Sequence, residues 1–164
     1  MVKPFIYILL FIFCSSSVAD DFQERINWFS EAQWGLSAEI KLANNARLSE
    51  IMKDLGELWM RRDGALGYEV APFITEIVAE EPSIVFVWFH YHPKDFTAFV
   101  KDIQHSVFTD YNGEDEAVKE LELLRAKTIS ACKTLISSSK STEIVELAKA
   151  LESELNDVVV RTID

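Results

Sequence analysis

Cysteine, glycine and positive charge are all scarce in this chain, and each shortage narrows what it does. There are two cysteines, Cys14 and Cys132. Cys14 lies in an N-terminal stretch that reads as a removable leader, so the mature chain has no intramolecular disulfide and its fold rests on a core. The five glycines, at 35, 56, 64, 67 and 113, are too scattered to build a phosphate-cradling loop. No serine sits in a Gly-x-Ser-x-Gly turn, and neither HExxH nor a Cys/His zinc spacing occurs. The sequence thus carries no catalytic signature and implies no cofactor. Lysine and arginine number 16 against 27 acids, a net charge of −11. Such a surface repels phosphate backbones and anionic headgroups, which argues against nucleic acid and membrane surfaces as partners and favours basic proteins.

A long hydrophobic run is also missing. Phe5–Phe13 is apolar and uncharged, but it is about half of the ~20 residues a bilayer requires. Lys3 precedes it, and Ser17-Val18-Ala19 places small residues before Asp20. That layout predicts a secretory signal peptide over residues 1–19, cleaved after Ala19. A retained lipoprotein cysteine is disfavoured because bulky Phe13 precedes Cys14. The expected product, residues 20–164, is a single exported domain with a net charge of about −12. Its location would be periplasmic in a Gram-negative cell and extracellular otherwise.

What is abundant is helical periodicity. Val118, Leu121, Leu124 (or Arg125), Thr128, Ile129, Cys132, Leu135 and Ile136 recur at three- and four-residue spacing after the Tyr111-Asn112-Gly113 turn, and Ser137–Ser139 stop that helix. Cys132 falls on this apolar stripe, which predicts a buried thiol. Ser141 or Thr142 caps a last helix with Ile144, Leu147, Ala148, Leu151, Leu155, Val158 and Val159 on one face. The short link between the two predicts an antiparallel hairpin. Upstream, Phe22, Ile26 and Phe29 suggest a short opening helix. Ile40 to Trp59 suggest a longer one broken at Asn44-Asn45 and ended by Asp63-Gly64, and Val70 to Val78 another closed by Glu80-Glu81-Pro82. Ile84–Phe89 is apolar on every side. Proline at 82 and 93 fits helix first turns, and no second strand is available to pair with the run, so it predicts a short, fully buried central helix.

The expected architecture is therefore all-α: one compact domain of five to seven helices, bundle-like or HEAT-like. The proline-started short helices resemble those of HEAT-like α-solenoids, although no repeat of ~40 residues aligns twice.

Candidate functional residues are few. His92, Asp102 and His105 are the conceivable metal ligands. His90, two residues before His92, would fall on the opposite side of a regular helix. Asp110–Leu121 imitates a calcium loop but places Asp115 where glycine is needed and Leu121 where a bidentate glutamate is needed. Trp28 and Trp34, on the least regular part of the chain, and the acidic helix start Glu114-Asp115-Glu116 are the candidate partner-binding residues. Together these features predict a non-enzymatic protein-binding domain, monomeric or homodimeric, of the kind that inhibits a basic toxin or hydrolase in the manner of an immunity protein. An envelope assembly factor, or a small metal-binding protein or enzyme built on the histidine region, is the alternative.

Overall fold

The computed structural model describes residues 5–111, 113 and 115–163, with backbone only for 5–20 and 115. Among the described residues it is almost entirely helical, with seven helices and one minimal strand pair. The helices are α1 (Phe5–Leu42), α2 (Asn45–Met60), α3 (Gly64–Glu80), α4 (Pro82–Tyr91), α5 (Pro93–Ser106), α6 (Asp115–Ser138) and α7 (Thr142–Asp157). The chain divides into a unit of Met1–Gly35 and a unit of Leu36–Asp164.

The first unit holds most of α1. The opening helix is longer than the Phe22–Phe29 periodicity suggests, because no proline or glycine interrupts residues 5–34. Trp28 and Phe29 bring their rings to 6.4 Å.

The second unit is an all-α core whose helices start and stop for local reasons. Asn44 caps α2 by accepting a hydrogen bond from the Arg47 N–H at 3.0 Å. Asp63 caps α3 by accepting from the Leu66 N–H at 2.9 Å, and Ser141 caps α7 by accepting from the Ile144 N–H at 3.3 Å. Asp63-Gly64 therefore opens α3 rather than closing α2. The aspartate oxygen satisfies an otherwise orphaned amide, which outweighs the stop signal of Arg61-Arg62 followed by glycine. Pro82 and Pro93 occupy first turns, where the missing N–H is no loss. Each follows a single junction residue, Glu81 or His92.

Helix α4 is central, touching α2, α3, α5, α6 and α7. It is not apolar-buried all round as its composition suggests. Val85, Phe86 and Phe89 are buried, whereas Val87, His90 and Tyr91 face out, because a ten-residue helix in this position presents one side to solvent. Phe89 lies 5.3 Å from Phe96 and 5.2 Å from Phe99, and Trp59 meets Phe99 edge-on at 5.5 Å. Each such side chain contributes roughly 1.5–3 kcal/mol through burial. The middle aromatics are thus largely core, and Tyr91 is the exposed exception.

Helices α6 and α7 share a long contact. Arg125 donates to the Leu155 carbonyl at 2.9 Å, and Lys133 lies 3.8 Å from Glu152. Val159 leaves the apolar face of α7, since the helix ends at Asp157. The tail instead forms two residues of strand. Arg161 and Thr162 pair in parallel with Thr109 and Asp110. Gln104 fastens this tail: its Oε1 accepts from the Val159 N–H and its Nε2 donates to the Val159 carbonyl, both at 2.9 Å. A two-residue strand carries no alternation, so the sequence gives no sign of it.

Candidate functional site

Within the first unit, α1 carries an exposed stripe. Glu24, Asn27, Glu31 and Trp34 follow at three- and four-residue steps and all face solvent. Trp34 is 89 % exposed, while Trp59, of equal size, is 1 % exposed. Trp28 is half-buried. Of the acidic helix start, Glu114 lies outside the described residues, as does the side chain of Asp115, which opens α6. Glu116 is exposed and pairs with Lys119 at 2.9 Å.

The histidines are dispersed. His92 is the junction between α4 and α5, and its ring stacks on Trp88 at 4.2 Å. Asp102 and His105 lie about 15–20 Å further along α5. His105 instead approaches Arg161, with Nδ1 and Nη2 3.3 Å apart, and its carbonyl accepts from the Tyr111 hydroxyl. Asp102 and His105 line a shallow cleft with Trp59, Arg62 and Tyr68, where the Arg62 guanidinium lies over the Trp59 ring at 3.7 Å. His90 is exposed beside Tyr91. Among the described residues no group of three or more His, Cys, Asp or Glu side chains is placed to hold a metal ion. Cys132 is buried and free, and burial pushes its thiol up to about 12, which keeps it protonated and unreactive.

One residue that the sequence reading passed over stands out. Glu76, on α3, is the only charged side chain in Val70–Ala79. Its Oε1 accepts a hydrogen bond from Ser37 Oγ at 2.8 Å, but its Oε2 is buried and accepts none from the described residues. Burial raises its pKa above the ordinary carboxylate value; the Ser37 hydrogen bond and the nearby Lys41 charge oppose that rise. An unpaired buried carboxylate oxygen is costly.

Glu76 lines a cleft of about 370 Å³ between α3 and α6. Pro72 and Ala79 form one wall, and Leu121, Leu123 and Leu124 form the other. Leu123 is 71 % exposed at its edge. Glu80 and Lys127, which form an ion pair with each other, sit beside Lys41 and Glu120 around it. A lone glutamate within an apolar helical segment was the sequence signal for this place. Compared with protein-family models, with curated proteins and with solved structures, the chain matches none.

Proposed function

We propose that this is an exported, non-enzymatic domain that binds a basic protein partner, acting as an inhibitor or immunity protein would. The observation that carries the reading is Trp34, exposed over 89 % of its surface on the same helical stripe as Glu24 and Glu31. Tryptophan is a frequent interface anchor, because burying its ring against a partner removes a large apolar area from water. Flanking carboxylates add long-range attraction for a cationic surface, and the net charge of the chain extends that field. The leader-like residues 1–19 supply the route of export. The contacts of Arg125 with Leu155 and of Lys133 with Glu152 support an antiparallel α6–α7 hairpin as a rigid base for the domain.

The test is affinity capture of the tagged mature chain from its own cell envelope over a salt series, run beside Trp34→Ala and Glu24→Lys/Glu31→Lys. The expected result is one stoichiometric basic partner that elutes as salt rises. Trp34→Ala should weaken it at least about tenfold, and the charge reversal should slow association. Capture that ignores both variants and salt refutes the reading. N-terminal sequencing of the exported protein should begin at Asp20.

A further inference from the structure

We propose that the α3–α6 cleft of the second unit is a binding site for a primary alkylammonium group, with Glu76 as its counter-ion. This is separate from the α1 stripe. Three features point to it independently. The cleft holds about 370 Å³, within the range of small-molecule sites. Its walls, Pro72, Leu121 and Leu124 among them, suit an alkyl stem. Its acid has one oxygen engaged by Ser37 and one with no donor among the described residues.

An ammonium brings the donors and the opposite charge that Oε2 lacks. Oε2 is covered, so an ammonium is engaged by turning the carboxylate about the last torsion of the glutamate, which is soft. The charged groups facing Glu76 are Lys41 from α1, Glu80 on its own helix, and Glu120 and Lys127 from α6. Lys127 is already paired with Glu80, which leaves the two acids Glu76 and Glu120 against Lys41. The surrounding field therefore favours a cation over an anion. An alkyl stem against Pro72, Leu121 and Leu124 adds an attraction that a simple ion cannot.

The same chemistry is offered by a free amine and by a lysine side chain, and the probes separate them. Binding of methylammonium, n-hexylammonium, a capped lysine tripeptide and n-hexanoate to the full mature chain would be followed by calorimetry and by carbon NMR of the Glu76 carboxylate. n-Hexylammonium should bind saturably and more tightly than methylammonium, by about fourfold for each of the first buried methylenes. Affinity should fall as pH drops through the raised Glu76 titration, and the bound amine should shift that titration downward. Glu76→Gln, nearly isosteric, should cost about tenfold or more. Leu124→Ser should erase the chain-length dependence without moving the Glu76 carbon signal of the free protein to that of an exposed acid. Tighter binding of n-hexylammonium than of the tripeptide assigns the site to a free amine, and the reverse assigns it to a partner's lysine. Binding of n-hexanoate in preference to n-hexylammonium, or equal binding to Glu76→Gln, overturns the proposal.

Discussion

Replacing Gly56 by alanine should destabilise the protein, against the ordinary preference of helices. Gly56 lies within α2, and a Cβ there would stand 2.4, 2.5 and 2.8 Å from Cε2, Cζ2 and Nε1 of Trp88. Real carbon contacts do not come so close, so the indole or the α2–α4 spacing has to move. The indole is held by its stack on His92 at 4.2 Å and its edge contact with Phe89 at 5.1 Å, so moving it sacrifices both. Overpacking of this kind costs about 1–3 kcal/mol, and the gain from alanine over glycine in a helix is about 1 kcal/mol. The net loss is up to about 2 kcal/mol, toward the upper end because all three contacts fall under 3 Å, or up to roughly 6 °C in Tm for a domain of this size. Gly35, also inside a helix, has nothing within 4 Å of its added Cβ, so the same substitution there should stabilise by up to about 1 kcal/mol. Urea unfolding of both variants, and of Gly56→Ala in a Trp88→Leu background where the clash is relieved, completes the comparison. A Gly56→Ala protein as stable as the parent, with Trp88 in place, refutes the reasoning.

Three further outcomes are expected of this fold. Glu76 has a folded pKa raised by burial, so it adds stability when protonated and loses it as pH rises through that value; Glu76→Gln should raise Tm at pH 7, with the gain shrinking as pH falls toward 4.5 and levelling below it. Gln104→Ala should release the tail, seen as faster hydrogen exchange at the amides of Val159, Arg161 and Ile163 while α2 and α3 stay protected. Burial raises the Cys132 pKa and holds it as the thiol at pH 8, so a disulfide reagent should label the native chain negligibly and the guanidinium-unfolded chain fully. Stoichiometric native labelling would contradict the buried placement.

Much of the helical framework was legible in the sequence because its signals are local. The stripe through Thr128 and Cys132, the Ser141 cap and the two first-turn prolines each act within a turn of helix, and each appears where its chemistry predicts. Asp63-Gly64 misled because the same residues can end one helix or start the next, and only the hydrogen bond to Leu66 decides. The tail pairing and the Gln104 clasp join residues more than fifty positions apart, which no local pattern encodes. The candidate sites divide in the same way. The exposure of Trp34 depends on which face of α1 it occupies, and the cleft around Glu76 exists only where α6 crosses α3. His92 is held away from Asp102 by the helix from Pro93 to Lys101, a separation that residue types alone do not reveal.

The single-residue joints at Glu81 and His92 bear on how this chain tolerates change over generations. Each passes the backbone from one helix directly into the next with no slack. An insertion or deletion of one residue there would turn the following helix by about 100° about its axis and carry Phe86 or Phe96 out of the core. The link between α6 and α7, Ser139–Ser141, is longer than either joint and lies among exposed residues. Descendant sequences should therefore keep the spacing from Glu80 to Pro93 fixed while substituting freely on its outer face, and should gather their length differences near Ser139.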